Sequence, residues 1–274
     1  MALKHAVYDA VNRPSTRWLL GLAASANATL AGDRALFTYD RQTGDWLKRT
    51  RAGAMLLPDL RGGEGMDAAQ CDAFAREVFL PEYAIRPGDV VLDVGAGIGT
   101  EALPFSRMVG DSGRVIAIEA HPTTYAKLAR VCQANNLRNV EPIHAAVMDT
   151  EGTVKITDLQ AESYLENKIG DEGVPVAAVT IPGLVAKLKL DRIDFLKMNI
   201  EGAELPALRG ALDVLPIVRH AAIGCHDFLA DETGDESYRT KDAVHAILVD
   251  AGFTVTSRSD DPRPWAAGYL FASR

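Results

Sequence analysis

An α/β fold with a mostly parallel sheet is predicted by three features of the sequence. Short apolar runs, DVVLDV, RVIAIEA, NVEPIHAAV, RIDFLKMNI and VRHAAIGCH, recur at near-regular intervals from Pro87 onward. Segments with helical spacing of apolar residues lie between them, the alternation that builds a parallel sheet covered on both faces. The first run ends in a glycine-rich turn, VVLDVGAGIGT at residues 90–100, which leads into a helix beginning at Thr100-Glu101. A buried strand therefore feeds a tight turn and a helix N-terminus, where glycine lets backbone pass close to a ligand and free N–H groups can meet it.

Taken in order, residues 1–65 read as an N-terminal extension, a possible cap or lid, and 66–274 as the ligand-binding domain. TRWLLGLAASANATL predicts a short helix, and ALFTYD and DWLKRTR flank Gln42-Thr43-Gly44 as a hairpin. Pro58 to Gly65 is punctuated as a loop, either a linker or a mobile lid. In MDAAQCDAFAREVFLPEYA, Cys71, Phe74, Ala75, Val78 and Phe79 share a helical face that ends near Pro81. In PTTYAKLARVCQANN, Tyr125, Leu128, Ala129 and Cys132 share another, with Pro122 in the first turn and Asn135 or Asn136 closing it. Residues 150–190, broken by Gly170, Gly173 and Pro175, predict an exposed excursion. TKDAVHAILVDAG is a helix with Thr240 as N-cap and Gly252 past its end, and FTVTS and AGYLFAS close the chain as a hairpin.

The 274 residues suffice for a full core, and 47% apolar with 24% charged residues is a globular composition. A net charge of −8 argues against a nucleic-acid partner, which needs a basic surface. No apolar window is long enough to span a membrane, and the N-terminus has no signal-peptide core. Cys71, Cys132 and Cys225 lie far apart and read as reduced core thiols, so a cytoplasmic protein with a small-molecule partner is expected. The oligomeric state is left open.

In such a sheet ligands bind beyond the carboxyl ends of the strands. The turn is G-x-G-x-G with Thr100 in the last position, whereas dinucleotide sites favour G-x-G-x-x-G. The next strand ends in Glu119, twenty residues after Gly99, where a carboxylate can accept both ribose hydroxyls of an adenosine moiety. The spacing leans toward S-adenosylmethionine over NAD.

PGDVVLDVGAGIGTEA, VIAIEAHPTTYAKLARVCQANNLRNV, HAAVMDTEGTV and DFLKMNIEGAELPALRGA together resemble the FkbM-like family of class I S-adenosylmethionine-dependent methyltransferases, over about residues 70–230. The resemblance implies a Rossmann-like, seven-stranded sheet of order 3-2-1-4-5-7-6, the seventh strand antiparallel. It also implies methyl transfer to a hydroxyl of a sugar or other natural product. The family pattern D-x-x-K-x-D-x-E-G-A-E is met at Asp194, Lys197, Glu201, Gly202, Ala203 and Glu204, with Asn199 replacing the second Asp.

By that resemblance Gly95, Ala96 and Gly97 underlie the methionine part of the cofactor, with Thr100 near its carboxylate. Asp93 orients the turn or meets the amino group, Glu119 holds the ribose, and Ala120, His121, Ala145 and Ala146 border the adenine. His121 equally suits a helix start, and His144 a structural role. An alcohol acceptor benefits from a base, for which His226 is the candidate. The family tends to carry Glu-x-His there, and Gly224-Cys225-His226 keeps only the histidine. Asn199 and Lys197 complete the expected catalytic group, and Asn199 also adjoins the cofactor. A divalent metal is left uncertain; Glu201, Glu204, His226 and Asp227 are the residues that could surround one. N-methylation of an amine is the alternative chemistry. An NAD-dependent oxidoreductase or a non-catalytic cofactor-binding protein are readings of other classes.

Overall fold

The computed structural model describes residues 8–61, 65–157, 169–170 and 172–274. Helix α1 (Arg17–Leu30) precedes strands β1 (Leu36–Tyr39), β2 (Trp46–Thr50) and β3 (Gly53–Leu57), which form an antiparallel three-stranded sheet. The expected hairpin is β1–β2, with Tyr39 opposite Trp46. The third strand was not expected: GAMLL is a short apolar run without alternation, and Met55 and Leu56 are buried because the sheet is covered from the side of the main domain. Helix α2 (Ala68–Phe74) starts in a capping box between Asp67 and Gln70 and runs on into a π-helical turn, Ala75–Phe79. The Pro58 to Gly65 loop falls partly on 62–64, outside the described residues.

Strand β4 (Val90–Val94), helix α3 (Ala102–Val109), strand β5 (Arg114–Glu119), helix α4 (Pro122–Asn135) and strand β6 (Val140–His144) then follow as βα units. Asn136 closes α4 in the left-handed conformation, and Pro122 opens it. Asn135 is thereby free to pair with the Ala54 backbone, accepting from its N–H at 2.8 Å and donating to its carbonyl at 2.7 Å. Leu47, Met55, Leu56, Cys71, Leu103 and Val131 pack into one apolar cluster that joins the N-terminal sheet to α2, α3 and α4.

The stretch expected as an exposed excursion is a second sheet. Its strands are β7 (Ala146–Val147), β8 (Gly152–Ile156), β9 (Ile169–Gly170) and β10 (Val174–Val179), in the order β7-β10-β8-β9. Ala146, Ile156 and Val176 form its small core. The middle of this stretch, 158–168 and 171, lies outside the described residues. NVEPIHAAV, read as one strand, divides at Ala145: β6 joins the main sheet and β7 the second.

Helix α5 (Ile181–Leu188), strand β11 (Ile193–Met198), helix α6 (Glu204–Arg209), strand β12 (Val218–Gly224), helices α7 (Asp227–Thr233) and α8 (Lys241–Asp250), strand β13 (Thr254–Ser257), helix α9 (Pro264–Ala267) and strand β14 (Tyr269–Ser273) complete the chain. The main sheet runs β6-β5-β4-β11-β12-β14-β13, which is 3-2-1-4-5-7-6 in its own strands. Only β14 is antiparallel to its neighbours, as the resemblance implied. Asp194 fastens the amino-terminal edge: its carboxylate accepts from Val90 N–H at 2.8 Å and from Arg192 and Arg219 at 2.9 Å. The family motif therefore begins with a structural clamp at the sheet end opposite the glycine turn. All three cysteines are buried and separate, and burial pushes their thiols up to about 12.

Candidate functional site

The carboxyl ends of β4, β5, β11 and β12 bring most of the expected residues together. Gly95 and Ala96 each donate a backbone N–H to Ile118 O at 2.9 Å, which folds the turn back onto β5. At Gly95, φ is +78° and a Cβ would stand 2.0 Å from the Asn199 carbonyl oxygen, so only glycine fits. At Gly97, φ is +56° but no atom lies within 4 Å of a Cβ position, and the turn is open on that side. The Glu119 carboxylate accepts from Gly97 N–H at 2.9 Å and from His121 N–H at 2.8 Å, tying the end of β5 to the turn. Thr100 donates its hydroxyl to Glu101 at 2.7 Å.

Beneath the turn lies a buried charge cluster. Lys197, 2% exposed, donates to the Gly95 carbonyl at 2.6 Å, and its Nζ stands 3.0 Å from Asp93 Oδ1. Burial works to lower the ammonium pKa, but Asp93, Glu101 and Glu119 outweigh it and hold the lysine charged. Burial also pushes the carboxyls of Asp93, Glu101 and Glu119 above their ordinary range, against the pull of Lys197. Three carboxyls face one ammonium, a shortage of positive charge that a cationic ligand would relieve and a diphosphate would aggravate. Glu101 was not among the expected residues. In the sequence it looks like an ordinary first-turn acid, and its tie to Lys197 is visible only once β11 lies beside β4.

Asn199 follows β11 and donates its N–H to Val94 O at 3.0 Å. Its side-chain oxygen accepts the Tyr269 hydroxyl at 3.0 Å and lies 2.4 Å from where a Gly224 Cβ would be. The missing acid of the family's Glu-x-His is thus matched by the space that Asn199 and Tyr269 fill. His226 is buried between two carboxylates, Nε2 at 3.4 Å from Glu201 and Nδ1 at 3.3 Å from Glu204. Burial alone would lower its pKa; the two acids raise it to about 10, so at neutral pH it is an imidazolium. Glu201 holds a left-handed backbone at φ +54°, an unusual conformation for a non-glycine residue, at the apex of the turn between β11 and α6.

Two of the four residues considered for a cation are committed elsewhere. Glu204 accepts from Ile200 N–H at 2.7 Å and Gly202 N–H at 2.9 Å, and Asp227 accepts from Thr240 N–H at 3.0 Å and Lys241 N–H at 3.1 Å. Among the described residues no three His, Cys, Asp or Glu side chains gather as a metal set. Ala145 and Ala146 are buried just past β6, Ala145 in the main core and Ala146 in the second sheet's core with Ala120 against it. His121 is buried at the N-cap of α4, its Nδ1 3.3 Å from Thr124 Oγ1. His144 is exposed, stacks on Tyr125 and contacts Ala120 O at 3.0 Å.

Residues 93–255 match the model of the methyltransferase FkbM domain, more than half of the chain. The chain belongs to the FkbM family of S-adenosylmethionine-dependent methyltransferases. It is 24% identical over 249 residues to the AMB antimetabolite synthetase AmbE of Pseudomonas aeruginosa, a match covering 74% of this chain but 12% of that protein. It is 26% identical over 238 residues to the 31-O-demethyl-FK506 methyltransferase FkbM of Streptomyces tacrolimicus, covering 71% of this chain and 86% of the relative. With the hexuronic acid methyltransferase AglP of Haloferax volcanii it shares 25% over 142 residues, 50% of this chain and 56% of the relative. Among solved structures it is similar to an FkbM methyltransferase from Methylobacillus flagellatus, at 17% identity and a TM-score of 0.47, over 68% of this chain and 44% of that one. Among the described residues no helix of this FkbM-family chain is long and apolar enough to cross a membrane.

Proposed function

We propose that this chain transfers a methyl group from S-adenosylmethionine to a hydroxyl oxygen of a small molecule of the sugar or secondary-metabolite class. The observation that carries the reading is the acid cluster of Asp93, Glu101 and Glu119 around Lys197, beside the open side of Gly97. That donor set fits a ligand with a sulfonium, an ammonium and a ribose. When bound, the cofactor supplies a methyl already activated on positive sulfur, so approach and orientation of the acceptor do much of the work. The names of the FK506 and hexuronic acid methyltransferases support a hydroxyl-bearing acceptor.

Each polar residue then has a task. Glu119 holds the ribose hydroxyls while keeping the turn closed through Gly97. Asp93 and Glu101 offset the positive end of the cofactor, and Lys197 is a positioning residue that fixes Asp93 and the Gly95 carbonyl. Methyl transfer would leave the acceptor oxygen with a proton to lose, and the residues beside the acceptor would have to take it. The group that takes it is the His226–Glu201 pair, whose Nε2 and carboxylate lie 3.4 Å apart at the end of β12 and the turn after β11. His226→Ala and Glu201→Gln should each keep cofactor affinity and lower the chemical step by about two orders of magnitude. Unchanged turnover in both would place the base elsewhere.

The test of the reading as a whole is thermal unfolding with S-adenosylhomocysteine and with NADH, followed by turnover of labelled cofactor against a panel of alcohols and amines. At a hundred times its Kd, S-adenosylhomocysteine should add about 2.7 kcal/mol of stability. No shift with it, or a larger one with NADH, would sink the proposal.

A further inference from the structure

Helix α1 is packed inside out. It turns small residues inward: Gly21 is buried so close to β1 that a Cβ would stand 2.7 Å from Phe37 O, and Ser25 accepts the Phe37 N–H at 2.9 Å. Its large residues face outward, with Trp18 59%, Leu19 44%, Leu22 56% and Leu30 88% exposed, and Leu36 beside them 50% exposed. A helix on a finished surface buries its apolar stripe. Contiguous exposed apolar surface of this kind marks an interaction site.

We infer that α1 is the surface through which two copies of this chain pair, each α1 lying antiparallel across the other. The five side chains expose on the order of 500 Å² per copy, which approaches the ~800 Å² that each partner gives to a standard interface once the intervening alanines and backbone are added. Charge favours the same occupant. Residues 18–32 carry no charged side chain, Arg17 opens the helix at the end where a cation is disfavoured, and its last turn has no basic residue. Arg17 itself is turned back onto the Tyr39 ring of its own chain, 3.7 Å from its centre, so the outward face of α1 is uncharged and self-complementary, and antiparallel pairing opposes the two helix dipoles. The contact is isologous and closes on itself as a dimer. An anionic membrane is a poorer match: helices that lie on membranes carry a basic polar face, which α1 lacks, and the chain has a net charge of −8.

The test is sedimentation equilibrium of the full chain across micromolar concentrations. Wild type should be a dimer, and Leu22→Glu and Leu30→Glu should each raise the dissociation constant about 100-fold or more. Leu212→Glu, at an exposed apolar residue on another surface, should leave it unchanged. Thermal unfolding of the two α1 variants checks that they remain folded. Because the native cysteines are buried, an introduced thiol reports orientation: Ala23→Cys near the helix midpoint should form an intermolecular disulfide, and Leu30→Cys should not. The proposal is overturned by a monomeric wild type, by a dimer that survives both glutamates, or by a monomer that pellets with phosphatidylglycerol vesicles. Linkage through Leu30→Cys rather than Ala23→Cys overturns the antiparallel arrangement.

Discussion

Lys197 contacts Asp93 and the Gly95 carbonyl, so its removal leaves buried carboxyls without their counter-charge. Lys197→Met should cost about 3–5 kcal/mol of folding stability, read by denaturant unfolding. A result near zero would mean that Asp93 and Glu101 are held neutral. Tyr269→Phe takes the hydroxyl donor from Asn199 and should cost about 1–3 kcal/mol. His226 gives a pH signature. Its pKa is raised from 6.5 to about 10, so its contribution to stability is complete below pH 6.5 and is lost as pH rises toward 10. Denaturant midpoints should fall across that window in wild type, and His226→Gln should flatten the fall. The sequence identified Asp93, Lys197, Asn199 and His226 as polar groups at strand ends, but not Tyr269, whose hydroxyl meets Asn199 only once β14 lies beside β12. It did not reveal that His226 sits between Glu201 and Glu204, because that distance depends on how the turn after β11 meets the end of β12.

Gly95 and Gly97 separate two uses of the same turn. Gly95→Ala would drive a Cβ into the Asn199 carbonyl, so it should unfold the site and lower overall stability by several kcal/mol. Gly97→Ala meets open space and bears only the left-handed backbone penalty, about 1–2 kcal/mol. Its methyl occupies the ligand's side of the turn, so calorimetric titration should show S-adenosylhomocysteine affinity reduced at least about tenfold while the fold persists. Equal losses in stability and binding would mean that the open side is not the ligand's side. The glycine turn and the five parallel strands were legible because apolar runs and φ-demanding glycines leave local signals. The second sheet was not: β8 and β10 alternate only weakly among charges and glycines, and β7 is two residues long. Nor was β3, whose burial is supplied by α4 and Asn135, some eighty residues away in the chain.

At the scale of the whole molecule, an acidic chain has collected a surplus of buried acid at one end of its sheet. Asp93 starts from an ordinary value of 3.8 and Glu101 and Glu119 from 4.5, and all three titrate higher in the fold. A raised acid pKa means that the fold binds these protons more tightly than the unfolded chain does, so the three groups cost stability as pH rises above those ordinary values. A bound cation recovers part of that cost. S-adenosylmethionine carries one more positive charge than S-adenosylhomocysteine, on the sulfur, so the two ligands should diverge with pH. The affinity ratio of the methylated over the demethylated cofactor should grow as pH rises above those ordinary values, by about tenfold for one well-placed charge, and shrink with added salt only to the extent that solvent reaches the site. Calorimetric titration of both ligands at several pH values measures the ratio directly. A ratio independent of pH would mean that the sulfonium does not feel the Asp93, Glu101 and Glu119 cluster, and the assignment of those acids to the positive end of the cofactor would fall.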